Sequence, residues 1–359
     1  MTSPTEAAAF PSLARIEDLV REHGISHVSV ASADVLEDTR SVLHRRKELG
    51  LHDGMQFTYR NPDRSTDPRR AVPDARSVIV AARPYLTDSE PTRPVTGVHA
   101  RVGRYAWVDH YEPLRVGLRI AAAEIQAAGY RAAVFADDNS LVDRAIAQRA
   151  GLGWFGKNAN LLLPGAGSFF TLGSIVTSAP YEPNEAPVSD GCGTCVRCID
   201  GCPTGAIVAP GVIDGARCLS WILQKPGPIP IEFREAVHDR IYGCDDCQDV
   251  CPISVRLGPR NTVDLDVDGP AVQAFVDAIE LLDSTDETIE ARHGRWWIAG
   301  REMRWLRRNA LVVIGNTADP SDREARAVLD RYRADDDPIL VEHAVWAFAR
   351  LDERATPTS

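Results

Sequence analysis

The chain has 359 residues, of which 44% are hydrophobic, so it is long enough for two or three folded domains and too apolar to be disordered. Its formal net charge of −11 argues against a protein that coats nucleic acid over its whole surface. Any contact with nucleic acid must therefore come from a local patch.

The N-terminal segment carries no basic region followed by an apolar core, so we expect no signal peptide. No apolar run reaches the ~18 residues that a membrane span needs. We therefore expect a cytoplasmic monomer with no membrane attachment. Because the cytoplasm is reducing, the eight cysteines are expected to hold metal rather than to form disulfides.

Residues 1–185 are predicted to form an α/β domain. Hydrophobic periodicity predicts helices over 12–24, about 112–128 and 140–150. Apolar runs predict buried strands over 77–82, 131–136 and 169–177.

An acidic cluster follows the strand predicted over 131–136. Ser140 and Asp143 come close to a capping box, so one interpretation is that the cluster only caps the next helix. The functional interpretation makes Asp137 a proton donor that points into a cleft from the carboxyl end of a strand. Burial and the neighbouring carboxylates would raise its pKa and keep it protonated.

The glycine-rich segment GLGWFGK (151–157) fits two nucleotide-binding patterns on paper. It follows a predicted helix rather than a strand, and Asn158 stands where a phosphate loop needs Ser or Thr. We interpret the segment as a helix stop whose small residues let the backbone approach a large flat cofactor.

The segment 186–258 carries all eight cysteines. Its first run, CGTCVRCIDGCP (192–203), has the spacing of bacterial ferredoxins, in which the fourth cysteine ligates the other cluster. The second run, CDDCQDVCP (244–252), has Ile241 where a further cysteine would stand, and only Cys218 remains to supply that ligand. The segment is therefore predicted to be a ferredoxin-like module with two 4Fe-4S clusters.

The cysteine count gives four ligands to each cluster. Cluster 1 is assigned Cys192, Cys195, Cys198 and Cys251. Cluster 2 is assigned Cys202, Cys218, Cys244 and Cys247. The alternative, two structural zinc sites, would more often show separated CxxC pairs. Two linked clusters carry electrons, so another part of the chain must use them.

Residues 259–359 begin with an acidic stretch and continue with predicted helices near 299–315, 321–333 and 338–351. Short helices at this spacing predict a HEAT-like helical repeat domain. Arginines alternate with tryptophans over 292–308, a pattern that could hold phosphates and stack on unpaired bases. The alternative is a solvated helix face with tryptophans in the core. The candidate arginines are Arg295, Arg301, Arg304, Arg307 and Arg308.

The chain resembles the epoxyqueuosine reductases, cobalamin-dependent enzymes of tRNA queuosine synthesis. The resemblance extends from about residue 12 to 351 and is carried by DDNSLVDR (137–144), AQRAGLGWFGKN (147–158), CGTCVRCIDGCPTGAI (192–207) and IYGCDDCQDVCP (241–252). It implies an oxidoreductase that reduces epoxyqueuosine to queuosine at the tRNA wobble position. Its cofactors would be cob(II)alamin, reduced to cob(I)alamin, and the two clusters. An external donor such as flavodoxin or ferredoxin would supply the electrons.

The resemblance also implies roles for individual residues. The family's catalytic acid falls on Asp137, and Lys225 joins the arginines as a candidate tRNA contact. The implied cobalamin contacts are Arg64, Lys157, Asn158, Leu161, Leu172, Ser220 and Asp245.

Two other functions stay open. A cobalamin-dependent reductase of a small molecule, such as a dehalogenase, would usually carry an export signal and lack helical repeats. A non-catalytic electron carrier or corrinoid-handling protein would not need an α/β domain of about 185 residues, nor the block 137–158.

Overall fold

The computed structural model describes residues 10–184 and 186–356. Its first half contains a four-stranded sheet with helices on both faces. The elements are, in chain order, α1 (Leu13–Arg21), β1 (His27–Ser32), α2 (Glu37–Glu48), α3 (Pro62–Ser65), α4 (Pro68–Ala71), β2 (Ser77–Pro84), β3 (His99–Val102), α5 (Tyr111–Ala127), β4 (Ala132–Ala136), α6 (Asp143–Arg149), β5 (Trp154–Phe155), β6 (Leu161–Leu162) and β7 (Phe170–Thr177).

The sheet has the strand order β1-β2-β7-β4, and every neighbouring pair is antiparallel. Alternate residues of the central strands enter two separate cores, as Ile79 packs with α1 and α5 while Val80 packs with α6. The strands predicted over 77–82, 131–136 and 169–177 are confirmed. Strand β1 was missed. The sequence analysis placed Asp137 in a cleft at the carboxyl end of a strand, by analogy with parallel α/β sheets. That analogy is wrong, because all neighbouring strands of this four-stranded sheet are antiparallel.

The cysteine-rich segment is built from short elements joined by turns. They are α7 (Arg197–Asp200), β8 (Ile207–Ala209), β9 (Val212–Ile213), α8 (Leu219–Ile222), α9 (Ile231–Val237), β10 (Arg240–Tyr242), α10 (Asp246–Asp249) and α11 (Pro252–Leu257). Strands β8 and β9 form a small antiparallel hairpin. Helices this short are not stable in isolation, so tertiary contacts must stabilise them.

The last part of the chain is helical after one strand. Its elements are β11 (Phe275–Asp277), α12 (Ala278–Asp283), α13 (Asp286–His293), α14 (Arg304–Thr317), α15 (Arg323–Tyr332) and α16 (Pro338–Ala355). Helices α14 and α16 pack closely at Gly315. A Cβ at this position would lie only 2.7 Å from the Cα of Ala347, so the absence of a side chain allows the close approach. The three predicted helices correspond to α14, α15 and α16, although α14 begins five residues late.

A second sheet joins distant parts of the chain. Strand β3 lies between β10, to which it is parallel, and β11, to which it is antiparallel. One hydrophobic core therefore contains Trp107, Ile241 and the apolar side of α14. The boundaries expected at residues 185 and 258 do not separate cores, because this sheet links all three segments. Across the described ranges, every helix is too short or too polar to cross a bilayer.

Candidate functional site

The eight cysteines are free thiols that lie in two groups. Burial raises the pKa of the Cys198 thiol, and the neighbours that raise it further are Cys251, Cys192 and Cys195. Burial raises the pKa of the Cys247 thiol, and the cysteines that raise it further are Cys244, Cys218 and Cys202. These are the two sets that the cysteine count predicted. Four thiols in each set fit the donor requirement of a 4Fe-4S cluster.

Backbone geometry directs the cysteines that lie outside the CxxC turns. Cys218 and Cys251 each precede the first residue of a short helix and have an extended backbone, with ψ of 115° at both residues. The backbone N–H groups of Ser220 and Trp221 lower the pKa of the Cys218 thiol, although its burial is the larger influence and raises it. Cys202 accepts a hydrogen bond from the N–H of Ala206 at 3.2 Å. N–H donors of this kind stabilise thiolates.

The loop after the glycine-rich segment touches both cysteine groups. The ammonium of Lys157 donates to the carbonyl of Gly193 at 2.7 Å, beside Cys192. The side-chain amide of Asn158 donates to the carbonyl of Cys247 at 3.2 Å. The glycine motif permits this approach, because a Cβ at Gly153 would lie 2.1 Å from the carbonyl oxygen of Leu162. The segment follows the end of α6, as the helix-stop interpretation expected, and Gly153 packs closely on the backbone of Leu162 in a strand pair that the sequence did not predict.

Asp137 lies directly after β4 and has a left-handed backbone conformation, with φ of +56°. Its side chain is exposed and makes no hydrogen bond within the described part of the chain. The surrounding protein raises its pKa by desolvation, Arg115 opposes this, and Asp109 and Asp138 raise it further. A strained, unpartnered acid with a raised pKa is suited to donate a proton.

The other residues of the acidic cluster have different partners. Asp138 accepts a hydrogen bond from the N–H of Ser140 at 2.7 Å, which forms a turn. Helix α6 begins at Asp143 with Val142 as its N-cap and no side-chain cap, so the near capping box does not form. Capping therefore does not account for Asp137.

Three other ionisable groups surround Asp137. Burial raises the pKa of Asp143 well above its usual value, Asp137 and Asp138 raise it further, and its buried Oδ1 has no hydrogen-bond partner. Burial also raises the pKa of Tyr111, again with contributions from Asp137 and Asp143. Arg144 lowers the pKa of both Asp143 and Cys218.

The remaining candidate cobalamin residues have diverse surroundings. Leu161 and Leu172 are buried in the core between the sheet and α6. Asp245, next to Cys244, is buried and accepts the N–H of Arg104 at 2.7 Å. Ser220 is half-buried beside Cys218, whereas Arg64 is exposed on α3. The structure therefore places Ser220 and Asp245 in the cysteine module, Leu161 and Leu172 in the core beside α6, and Arg64 at the surface.

The basic stripe divides into surface and structural residues. Arg308 is 0% exposed and donates to the carbonyls of Ile222 and Gly227. It therefore cannot contact RNA, which corrects the expectation for this residue. Arg307 is largely covered and pairs with Asp286. Arg307 therefore joins α14 to α13 and to Ser284 before it, whereas Arg308 joins α14 to the cysteine-rich segment.

The other three arginines reach solvent to different degrees. Arg295 donates to the carbonyl of Trp107 at 2.8 Å and is partly buried. Arg301 pairs with Glu290 at 2.9 Å, and Arg304 pairs with Asp337 at 3.2 Å. Trp296 and Trp305 belong to the core, and Trp297 is 41% exposed.

One aromatic group was missed by the sequence analysis. The rings of Trp221 and Trp297 stack with centroids 5.6 Å apart, and Phe57 lies 5.2 Å from Trp297. Asp53 accepts from Lys225 at 2.5 Å and from the indole N–H of Trp221 at 3.0 Å. Lys225 therefore has a carboxylate partner. No local pattern around residues 53–57 signals this arrangement.

Comparisons with known proteins agree with this architecture. Residues 191–254 match the family model described as 4Fe-4S double cluster binding domain. Residues 65–137 match the model described as Epoxyqueuosine reductase QueG, DUF1730. The second match ends on Asp137.

Curated relatives are similar over nearly the full chain. An epoxyqueuosine reductase of Xanthomonas campestris pv. campestris is 36% identical over 97% of this chain and 97% of its own length. One from Pseudomonas aeruginosa is 33% identical, with 94% of each chain covered.

Solved structures give the same result. The epoxyqueuosine reductase from Streptococcus thermophilus superposes with a TM-score of 0.83 at 28% identity, covering 96% of this chain and 90% of its own. A crystal structure of epoxyqueuosine reductase with a tRNA-Tyr epoxyqueuosine-modified tRNA stem loop also gives a TM-score of 0.83, at 27% identity, covering 95% of this chain and 90% of its own. With its two cysteine groups, its acid after β4 and this extent of identity, the chain belongs to the epoxyqueuosine reductase family.

Proposed function

We propose that this protein is an oxidoreductase that reduces epoxyqueuosine to queuosine in tRNA. The observation that carries the proposal is the unpartnered Asp137 directly after β4, in a chain that also carries eight free cysteines and is 36% identical to an epoxyqueuosine reductase. A small-molecule reductase or a plain electron carrier has no comparable support, since the curated relatives share one activity over the full length.

The cofactors follow from the donor groups. The two cysteine sets would hold two 4Fe-4S clusters, which supply low-potential electrons one at a time. We further infer that cobalamin binds between the α/β sheet and the cysteine module. Support comes from Lys157 and Asn158, which reach both cysteine groups there, and from the buried, unpartnered oxygen of Asp143. When bound, cobalamin would supply a strong cobalt nucleophile to the substrate carbon.

The residues of this chain would handle the protons. Conversion of an epoxide to an alkene and water consumes two electrons and two protons. Asp137 would donate a proton to the epoxide oxygen, where negative charge develops as the ring opens. Desolvation by the surrounding protein and the charges of Asp109 and Asp138 raise the pKa of Asp137, which would help it to hold its proton until substrate arrives.

The tRNA would approach the side where the helical segment meets the cysteine module. Trp297 offers an exposed aromatic face there, and Arg301 and Arg304 supply positive charge that reaches solvent. We infer that α12 to α16 form HEAT-like repeats that carry these residues. Lys225 would act through its pair with Asp53 rather than as a free cation.

The test is anaerobic reconstitution with iron, sulfide and cobalamin, followed by reductant and a tRNA stem loop carrying epoxyqueuosine. Mass spectrometry of the nucleosides should show loss of one oxygen mass. A matched sample without cobalamin should show no conversion. Full iron content and bound cobalamin without conversion would contradict the proposed substrate.

A further inference from the structure

The two cysteine groups differ in how much protein covers them. Leu219, Ile241 and Tyr242, which flank Cys218 and Cys244, are all buried. In contrast, the residues between the first three cysteines are mostly open to solvent, namely Gly193, Thr194, Val196 and Arg197. An electron that enters from outside therefore has its shortest route through the group of Cys192, Cys195, Cys198 and Cys251.

The surface around that first group is apolar at its centre. Val196, between Cys195 and Cys198, is 43% exposed. Val255 is 53% exposed and lies one helical turn after Cys251, since its N–H donates to the carbonyl of Cys251 at 2.9 Å. Exposed branched side chains beside a redox group are typical of a transient contact surface.

The rim of this surface is basic. Arg197, Arg256 and Arg260 are exposed, and none of them has a carboxylate within ion-pair distance among the residues described. Nearby carboxylates are engaged or few: Asp190 accepts the N–H of Cys192 at 2.7 Å, Asp249 pairs with Arg104 at 2.6 Å, and Asp200 lies on α7. Arg197 lies between Cys195 and Cys198, and Arg256 and Arg260 follow Cys251 of the same cysteine group, so these three arginines add positive charge around that group.

We propose that the surface formed by Val196, Arg197, Val255, Arg256 and Arg260 is the docking site for a small acidic one-electron carrier protein. Charge complementarity selects this occupant, because an acidic partner is attracted to the rim and repelled by the rest of the molecule, whose net charge is −11. The biological role of this docking site rests on the proposed function, whereas the binding experiment does not require the protein to reduce epoxyqueuosine. In each encounter the carrier is oxidised by one electron and the iron–sulfur module is reduced by one. Two encounters balance the two electrons of one epoxide reduction.

The experiment measures reduction of the reconstituted holoenzyme by a reduced acidic ferredoxin, followed as bleaching of the iron–sulfur absorbance in a stopped-flow instrument. We expect Arg197→Glu/Arg256→Glu to lower the second-order rate constant about 10- to 100-fold at low salt. The charge-matched control Arg21→Glu/Arg323→Glu, on distant helices α1 and α15, should change it less than about twofold. The difference should shrink at high salt, because screening weakens the attraction.

Dithionite separates this inference from the proposed function. It reduces the clusters without a docked protein, so the double variant should keep its dithionite-driven conversion of epoxyqueuosine. Wild-type failure in that reaction would reject the proposed function and leave the ferredoxin measurement intact. If charge reversal lowers the iron content, Arg197→Gln/Arg256→Gln provides the same test with a smaller expected loss.

An unchanged ferredoxin rate constant at low salt in a fully loaded charge-reversal variant would overturn the inference. The inference would also be overturned if the charge-reversal variant changed only the self-association of the protein, measured by analytical sedimentation. The surface would then bind a second copy of this chain.

Discussion

The three carboxylates that follow β4, on Asp137, Asp138 and Asp143, have different hydrogen-bond partners and therefore different roles. Asp138 is engaged in a turn, Asp143 is buried at the start of α6, and Asp137 has a free carboxylate. A carboxyl group that donates a proton to substrate must be free of structural hydrogen bonds that would occupy its oxygen atoms. The left-handed backbone of Asp137 also costs energy, which a purely structural residue would avoid.

Replacement of Asp137 tests this assignment directly. We expect Asp137→Asn to lower turnover about 100-fold or more, because the amide cannot donate a proton to the leaving oxygen. Cobalamin binding and iron content should stay at wild-type levels. The matched control is Asp138→Asn, which retains the acceptor of the turn and should keep turnover within about threefold. Equal turnover in the two variants would remove Asp137 from the mechanism.

Asp143 should make stability depend on pH. Its folded-state pKa is raised, so the native state binds a proton more tightly than the unfolded chain, whose pKa is about 3.9. Stability is then full below the unfolded pKa and declines as pH rises towards the folded pKa. We expect Asp143→Asn to have a weaker pH dependence, with a free energy of unfolding that exceeds wild type increasingly as pH rises. Urea unfolding from mildly acidic to mildly alkaline pH measures this, and parallel curves would contradict it.

At the scale of elements, the pair β5 and β6 positions the loop that reaches both cysteine groups. The backbone of Gly153 to Gly156 lies against β6, and a Cβ at Gly153 or Gly156 would clash with Leu162. From there Lys157 and Asn158 extend to Gly193 and Cys247. The precision of two cofactor sites thus depends on one close backbone contact.

Gly153→Ala should disturb that contact. Its Cβ would meet the carbonyl oxygen of Leu162 at 2.1 Å, so β5 and β6 must separate. We expect a loss of about 3 kcal/mol in unfolding free energy, the upper range for overpacking, together with fewer irons per chain after reconstitution. The control Gly50→Ala meets nothing within 4 Å and should cost only about 1 kcal/mol of backbone strain, with iron content unchanged. Full iron loading in Gly153→Ala would show that the loop position is not critical.

At the scale of the whole molecule, buried polar groups join the helical segment to the cysteine module. Arg308 and Asn309 on α14 donate to carbonyls of Ile222, Leu223 and Ile241. Burial lowers the pKa of Arg308 to about 9, which reflects how little water reaches it. These bonds fix the helical segment, and so the residues proposed to contact tRNA, relative to the cysteine module.

Arg308→Met should therefore destabilise the protein as a whole. The carbonyls that it satisfies would be left buried without donors, each costing about 1–3 kcal/mol, so we expect a total loss of about 3 kcal/mol or more. Arg301→Met, an exposed residue of the same stripe, should change the free energy of unfolding by less than about 0.5 kcal/mol. Urea unfolding of the two variants provides the comparison. Similar values would mean that burial of Arg308 is not maintained in solution.

The sequence alone determined the features that depend on local spacing. Cysteine spacing specified the iron–sulfur module, because thiolates a few residues apart can wrap one cluster. Long periodic segments specified α1, α5 and the last three helices. Asp137 could be predicted as the proton donor because it directly follows an apolar run and stands where the family that the chain resembles has its catalytic acid.

Only the tertiary structure decided features that depend on distant partners. The antiparallel order of the sheet follows from pairings between strands that are separated by helices in the chain, and the position of β3 between β10 and β11 follows from pairings over still longer separations, such as Arg101 with Arg240 and with Phe275. No local pattern encodes either. Arg301 and Arg308 have the same side chain and lie in one stripe, yet one is exposed and the other is 0% exposed. Burial is a property of what packs against a residue, and that is set by the whole fold.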